Sequence, residues 1–130
     1  RDLHVRSRRQ RQMCIRDSYL SFIGGSWKHN HIQFRSRTLG KYVLSTDTIP
    51  PRISYLGKRN YEVSFRIKDK KSGIKSFNAY INGQWLLMKY DYKRNMIWSD
   101  RLDKSVPLKG KLKLEVVDEA NNKKIYTLKL

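Results

Sequence analysis

The sequence is poor in cysteine, in long apolar runs and in acidic residues, and the first two shortages exclude whole classes of protein. Its one cysteine, Cys14, cannot form an internal disulfide and cannot by itself hold a zinc ion. No apolar run approaches the ~20 residues that a membrane-spanning helix needs. Acidic residues are also scarce, because 11 Asp+Glu stand against 29 Lys+Arg and give the 130 residues a formal charge of +18. Such a composition is typical of proteins that bind nucleic acid or another anionic surface, provided that the charge belongs to the folded domain.

The first 17 residues account for part of this charge and resemble a translated sequencing-library adapter. The adapter codons CGA GAT CTA CAC give residues 1–4, a variable index covers residues 5–7, and CGT CGG CAG CGT CAG ATG TGT ATA AGA GAC gives residues 8–17. We therefore interpret residues 1–17 as an adapter-derived, unstructured scar and leave them out of the functional argument. The rest has 23 Lys+Arg against 9 Asp+Glu, a charge of +14. On this interpretation the chain is truncated at its start, and we expect a longer parent protein.

Residues 19–130 show almost no helical periodicity, and short alternating apolar runs predict β-strands instead. From Pro51 onward we predict seven strands, near residues 52–56, 60–68, 75–81, 84–90, 96–99, 111–118 and 123–130. The predicted inward residues are Tyr61, Val63, Phe65, Ile67, Phe77, Ala79, Ile81, Leu112, Leu114, Val116, Tyr126, Leu128 and Leu130. Asn82-Gly83 is the pair favoured in two-residue hairpin loops. Seven short strands predict an all-β fold, an immunoglobulin/fibronectin-like antiparallel β-sandwich over residues 48–130.

A boundary between two β modules is predicted at Asp47-Thr48-Ile49-Pro50-Pro51. Consecutive prolines cannot donate to a β-ladder and they stiffen the chain, which suits a junction. Before it, strands are predicted near residues 19–23, 32–36 and 41–45. Three strands cannot close a sandwich, so residues 18–47 are predicted to be the C-terminal tail of a truncated β module.

Several short motifs give most of residues 37–130 a resemblance to one group of proteins. They are RTLGKYVL followed by DTIPPRI; Asp69 with Ser72-Gly73-Ile74, then Asn82-Gly83 and Trp85; DYKRN at 91–95; and Val116, Asp118 and Asn122 in the order V-x-D-x-x-x-N. Together they resemble the C-terminal non-catalytic β-sandwich region of secreted, lysostaphin-type zinc metallopeptidases of the Bacteroidetes. Those peptidoglycan endopeptidases have a peptidase domain with a duplicated hybrid motif.

The resemblance implies a non-catalytic accessory module that orients or targets the zinc endopeptidase domain of a parent cell-wall enzyme. It implies a location in the periplasm or cell envelope, and the parent's peptidase domain as an intramolecular partner. The zinc would belong to that missing domain, so we expect no cofactor in this chain.

The pair His29 and His31 superficially matches the H-x-H zinc segment of such peptidases. A zinc site of this type needs further His and Asp ligands from an earlier motif, and the sequence has no such motif upstream. The residues that follow the pair match the accessory modules and not the peptidase domain. We therefore expect His29 and His31 to be turn residues, and we expect this fragment not to be an enzyme.

The densest mixture of basic and aromatic residues lies between positions 85 and 98 and has two interpretations. A binding site for an anionic polymer would use Trp85, Lys89, Tyr90, Tyr92, Lys93 and Arg94, because rings stack on bases and cations follow phosphates. Trp85 and Tyr90 could equally stack on a sugar. In the structural alternative, which the alternating apolar pattern favours, Trp85 and Trp98 fill the core and the cations lie at a strand edge.

Residues 48–130 contain 19 Lys+Arg against 8 Asp+Glu, a difference of +11. This charge supports an alternative function, an independent binding module for an anionic polymer such as wall polysaccharide, lipopolysaccharide or nucleic acid.

Five acidic residues near predicted turns are candidates for a calcium site, since Ca²⁺ prefers oxygen ligands. They are Asp69, Asp100, Asp103, Asp118 and Glu119. They are separated in the sequence and flanked by lysines, so we expect them to cap turns and pair with nearby cations.

Overall fold

The computed structural model describes residues 10–16, 19–37, 39–59, 61–100 and 107–130, and their regular structure consists of β-strands only. The strands are β1 Gln10–Arg16, β2 Tyr19–Phe22, β3 Ser26–Lys28, β4 His31–Gln33, β5 Lys41–Thr46, β6 Arg52–Arg59, β7 Glu62–Lys68, β8 Ile74–Ile81, β9 Gln84–Leu86, β10 Met88–Asp91, β11 Met96–Ser99, β12 Lys111–Asp118 and β13 Lys123–Lys129. A helix long and apolar enough to cross a membrane is not found in these ranges.

Residues from Arg52 onward form two four-stranded antiparallel sheets that pack face to face, which confirms the predicted β-sandwich. The first sheet has the order β10-β11-β7-β6, and the second has the order β13-β12-β8-β9. Alternation along the strands turns every second side chain toward the opposite sheet. The core is made by both inner faces: Val63, Phe65, Ile67 and Ile97 from the first sheet, and Ala79, Leu112, Leu114 and Val116 from the second.

All of the predicted inward residues except Tyr61 and Leu128 belong to this core or pack against it. Val63, Phe65 and Ile67 are fully buried, as the alternation predicts, but Tyr61 is 46% exposed because it lies in the turn before β7. Phe65 also contacts Tyr126 of the second sheet, with ring centroids 5.8 Å apart.

The chain passes from the second sheet to the first at Leu87. The sequence predicts one strand over residues 84–90, but the structure divides it into β9 and β10, which belong to different sheets. The backbone oxygen of Leu87 accepts a hydrogen bond from the N–H of Asp100, 2.9 Å away. This division gives eight strands in the sandwich instead of seven, and it places β9 and β10 along one edge.

The residues before the sandwich form a three-stranded sheet of order β2-β1-β5 and a separate β3-β4 hairpin. The expectation that residues 1–17 have no regular structure differs from the structure at residues 10–16, which form β1. A β-ladder is made by main-chain groups, so a chain segment of almost any sequence can pair with a strand edge. Near the predicted strand 32–36, β4 ends at Gln33, and Phe34 lies beyond it with its ring 4.9 Å from that of Tyr42. The remaining residues of the predicted scar lie outside the described ranges.

Candidate functional site

An aromatic side chain stands exposed on the outer face of the second sheet. Leu86 points into the core and is only 7% exposed, so Trp85 beside it points outward and is 60% exposed. This corrects the expectation that Trp85 fills the core. The same expectation is wrong for Trp98. This residue alternates with the buried residues Ile97 and Ser99 and therefore faces outward from the first sheet.

Trp85 belongs to a row of paired residues that crosses all four strands of the second sheet. Trp85 lies opposite Tyr80, Tyr80 lies opposite Lys113, and Lys113 lies opposite Thr127. We call Trp85, Tyr80, Lys113 and Thr127 the aromatic–lysine row. Tyr80 was missed in the sequence, although the Asn82-Gly83 loop fixes its pairing with Trp85. The row therefore places two aromatic residues and a lysine next to one another on neighbouring strands.

The charges around the row are predominantly positive. Lys111 and Lys129 lie directly opposite each other, both exposed. Glu115, on the same face, pairs with Lys113 at 2.7 Å and with Lys123 at 3.8 Å. The hydrogen bond between Lys113 and Glu115 raises the pKa of the lysine and lowers the pKa of the carboxyl group, so both are charged at neutral pH.

The other residues of the predicted polymer site do not join Trp85 in one patch. Lys89 alternates with buried Met88, faces outward from the first sheet, and pairs with Asp100 at 2.8 Å. Tyr90 is on the same side of β10 as Met88, and its ring lies 5.4 Å from that of Phe77. Burial and the neighbouring Asp91 carboxylate raise the pKa of Tyr90.

Tyr92, Lys93 and Arg94 occupy the exposed turn between β10 and β11. The Asp91 side chain orders this turn, because its Oδ1 accepts the backbone N–H groups of Lys93 and Arg94 at 3.0 and 3.2 Å. The turn lies at the end of the sandwich where β7 finishes, opposite the end that carries the β8–β9 loop. The six predicted residues thus follow one edge of the sandwich over its length.

The two candidate zinc histidines lie in the exposed β3–β4 hairpin. His29 has a positive φ of 43° in the two-residue turn, and His31 is the first residue of β4. The Nδ1 atom of His31 lies 3.0 Å from the backbone oxygen of His29. The metal-binding group described next does not include either residue.

Three aspartates from distant parts of the sequence meet at one end of the sandwich. Asp47 follows β5, Asp69 follows β7, and Asp118 is the last residue of β12. One carboxylate oxygen from each lies within 4.8 Å of the other two. We call these residues the aspartate cluster. Asp69 and Asp118 cap turns, as expected, but the fold also brings them together with Asp47. Asp47 was not a candidate because its only signal was its place three residues before Pro50.

Two of these carboxylates are each held in place by several hydrogen bonds. The Oδ1 atom of Asp69 accepts the N–H groups of Lys71, Ser72 and Gly73 at 2.9, 2.7 and 2.9 Å. The Oδ1 atom of Asp118 accepts the N–H of Asn122 at 2.7 Å, and its Oδ2 accepts the Asn122 side-chain amide at 2.8 Å. The D-x-x-S-G-I and V-x-D-x-x-x-N motifs thus describe two loops that their aspartates order.

Asp47 differs from its two neighbours in the cluster. Its Oδ1 accepts the N–H of Ile49 at 3.0 Å, whereas its buried Oδ2 has no hydrogen-bond partner in the described part of the chain. Burial is the main reason that the pKa of Asp118 is raised; hydrogen bonds from Asn122 oppose this rise, and the charges of Asp47 and Asp69 add to it. The cluster therefore concentrates negative charge in a place with little solvent.

Comparisons with known proteins give little further information. No protein-family model matches the chain, and no curated protein matches it either. One solved structure, apo-expansin from Clavibacter michiganensis, is similar with a TM-score of 0.44 and 15% sequence identity, over 66% of this chain. The chain spans 42% of that expansin chain. So distant a similarity adds nothing to the sandwich that the strand pairing already defines.

Proposed function

We propose that residues 48–130 form a non-catalytic accessory module of a cell-wall zinc endopeptidase, which targets the enzyme by binding an anionic wall polysaccharide. The observation that carries this proposal is the aromatic–lysine row on the outer face of the second sheet. Its exposed Trp85 ring, the adjacent Tyr80 and the ammonium group of Lys113 lie in register across three neighbouring strands.

The chemistry of this row suits a sugar chain with acidic groups. Aromatic rings offer large apolar faces with a polar handle, which suits the mixed character of a sugar ring. Lysines directly opposite each other across two strands repel one another, and Lys111 and Lys129 are such a pair. A carboxylate or phosphate group on the ligand would remove this repulsion. In a polysaccharide with regularly spaced anionic groups, the sugar rings can stack on the aromatic side chains and the anionic groups can pair with the lysines.

The residues behind the family resemblance support a module without chemistry of its own. Asp69 and Asp118 order loops through backbone N–H groups, and the Asn82 side chain bonds to Lys111 N and Lys109 O. Each of these residues therefore has a role in shaping the sandwich. This fits an accessory module, whose motif residues maintain a fold and present a surface.

Binding of the full chain to purified acidic wall polysaccharide, measured at several salt concentrations, tests the proposal. We expect binding that weakens with salt, since counterions compete for the lysines. Trp85→Ala should weaken it several-fold or more, because the exposed indole is the largest apolar face that the row offers to a sugar ring. Tyr92→Ala is the matched control, because its ring is exposed but lies in the β10–β11 turn, away from the row.

The N-terminal arginines are the same in both variants, so a difference between them cannot come from residues 1–17. Equal losses in Trp85→Ala and Tyr92→Ala, or no binding in the parent chain, would contradict the polysaccharide site. Stronger binding to double-stranded DNA than to the polysaccharide would indicate the nucleic-acid alternative.

The second candidate function is an independent binding module for an anionic polymer, which the excess of 19 Lys+Arg over 8 Asp+Glu in residues 48–130 favours. The genomic locus distinguishes the two. An in-frame peptidase domain upstream is expected for an accessory module, and its absence would leave the independent module as the better description.

A further inference from the structure

We infer that Asp47, Asp69 and Asp118 form a calcium site that fastens the end of β5 to two loops of the sandwich. This inference goes beyond the proposed function and does not depend on it, because the aspartate cluster lies away from the aromatic–lysine row. The three residues come from separate segments, so a shared ion would join the junction at Asp47, the β7–β8 loop and the β12–β13 loop.

The spacing of the carboxylates fits a single Ca²⁺ ion. Calcium binds oxygen ligands at ~2.3–2.6 Å, so two ligands on opposite sides of the ion are at most ~4.6–5.2 Å apart. The three carboxylate oxygens of the cluster all lie within 4.8 Å of one another. One ion between them can therefore contact all three aspartates with little movement of the chain.

The unpartnered oxygen of Asp47 is the second observation that points to an ion. Asp47 is only 4% exposed, and its Oδ2 atom has no hydrogen-bond donor among the described residues. A buried polar atom without a partner is costly, and native structures nearly always satisfy such atoms. A cation held by Asp47 together with Asp69 and Asp118 supplies the missing partner.

The neighbouring hydrogen bonds leave the carboxylates in position for a metal. Three backbone N–H groups converge on Oδ1 of Asp69, and no hydrogen bond to its Oδ2 is formed within the described ranges. Asn122 similarly fixes the orientation of Asp118. Such bonds to ligand side chains orient them toward a bound metal.

The positive side chains nearby do not neutralise the cluster. Lys71, two residues from Asp69, donates to the backbone oxygen of Thr46 at 3.2 Å. Lys75 donates to the side-chain oxygen of Asn121 at 2.6 Å. No ion pair joins either lysine to an aspartate of the cluster in the described part of the chain. The negative charge therefore needs either a bound cation or a proton.

The donor set selects calcium among the common cations. All three ligands are carboxylate oxygens, which suit Ca²⁺ or Mg²⁺, whereas zinc and copper sites use mainly nitrogen and sulfur donors. Magnesium gives up its water shell reluctantly and usually contacts only one or two carboxylates. Three convergent carboxylates at one point therefore favour Ca²⁺, with water completing the coordination.

Thermal unfolding and calorimetry of the full chain test the site. After treatment with EDTA, the Tm is measured in buffer alone and with CaCl₂, MgCl₂ or NaCl at matched ionic strength. At a Ca²⁺ concentration 100-fold above Kd we expect the Tm to rise on the order of 10 °C, because the ion binds the folded state only. Calorimetry should give one Ca²⁺ per chain, and Mg²⁺ should have a smaller effect.

The variant Asp47→Asn removes one ligand charge and should weaken Ca²⁺ binding ~10-fold or more, since affinity follows the charge of the ligands. Asp100→Asn is the control, because Asp100 pairs with Lys89 outside the cluster and should leave the affinity unchanged. If Asp47→Asn does not fold, Asp69→Asn serves the same purpose, because its amide oxygen can still accept the three loop N–H groups.

Two results would overturn the inference. One is a parent chain whose Tm does not respond to Ca²⁺ beyond the NaCl control. The other is Ca²⁺ binding that is equal in Asp47→Asn, Asp69→Asn and the parent chain. In the first case the cluster would be neutralised by protons.

Discussion

Asn122 donates its side-chain amide to the backbone oxygen of Asp47, 3.0 Å away and 75 positions earlier in the sequence. The same nitrogen also donates to Oδ2 of Asp118 at 2.8 Å. One buried amide therefore connects the end of β5 to the end of β12. Because Asn122 is among the buried residues, water cannot replace these bonds easily.

Asn122→Ala should destabilise the folded chain. The substitution leaves the backbone oxygen of Asp47 and Oδ2 of Asp118 without this donor, and an unpartnered buried group costs ~1–3 kcal/mol. We expect the free energy of unfolding to fall by about 2 kcal/mol in urea titrations followed by tryptophan fluorescence. Asn78→Ala, an exposed residue of β8, is the control and should stay within about 0.5 kcal/mol of the parent chain. A loss for Asn122→Ala no larger than that of the control would show that the bond contributes little.

Without calcium, the stability of the chain should depend on the ionisation of Asp118. Burial raises its pKa, opposed by the bonds from Asn122 and helped by the charges of Asp47 and Asp69. Between the unfolded pKa of about 4 and the raised folded pKa, the folded state binds more protons than the unfolded state. The contribution of this group is therefore most favourable below that window and is lost as pH rises through it.

Unfolding free energies measured in EDTA from pH 4 to pH 7 test this dependence. Asp118→Asn cannot ionise, so its stability relative to the parent chain should increase as pH rises. The substitution also changes the bonds to Asn122, but that offset does not vary with pH, and only the slope is compared. Parallel curves for the two proteins would contradict the raised pKa.

The sequence was sufficient to predict the sandwich because its signals are local. Val63, Phe65 and Ile67 alternate with polar residues, and alternation within one strand fixes which side faces the core. Asn82-Gly83 forms the predicted hairpin, with positive φ values of 49° and 80°.

The outward orientation of Trp85 could also be predicted from the sequence, although the apolar pattern alone places this residue in the core. The run Trp85-Leu86-Leu87-Met88 is apolar on both faces, so it fits either orientation. The hairpin loop places Trp85 opposite Tyr80, and Tyr80 alternates with the inward Ala79 and Ile81. Register through the turn, more than hydrophobicity, therefore decides the orientation of Trp85.

The aspartate cluster could not be predicted in the same way. Asp47, Asp69 and Asp118 are brought together by the pairing of β12 with β8 and by the path of the chain after β5. Neither relationship leaves a local pattern in the sequence. A site that depends on three chain segments meeting at one end needs the strand order, which the alternation of side chains does not contain.

Truncation of two adjacent residues of β9 should lower the stability by very different amounts. Leu86→Ala removes a buried side chain and should cost ~2–5 kcal/mol, whereas Trp85→Ala removes an exposed ring and should cost much less. Urea unfolding of both variants measures this directly. Comparable losses in the free energy of unfolding would mean that the Trp85 ring packs against the protein and is not accessible to a ligand.

The two glycines at the other end of the sandwich should differ in their tolerance of alanine. Gly83 has a φ of 80°, and a Cβ atom there would meet nothing within 4 Å, so Gly83→Ala has only the backbone strain of a positive φ, about 1 kcal/mol. Gly110 also has a positive φ, but its Cβ would run into the side chain of Asn82.

Displacing Asn82 matters because its Oδ1 accepts the N–H of Lys111 at 2.9 Å and its Nδ2 donates to Lys109 O at 3.3 Å. These bonds join the β8–β9 hairpin to the start of β12. Gly110→Ala should therefore cost about 1 kcal/mol or more beyond Gly83→Ala in urea unfolding. Adding Asn82→Ala to Gly110→Ala should remove much of this excess, because the clashing side chain and its bonds are then already absent. A double variant that loses the full sum of both single effects would show that the Asn82 side chain is not the cause.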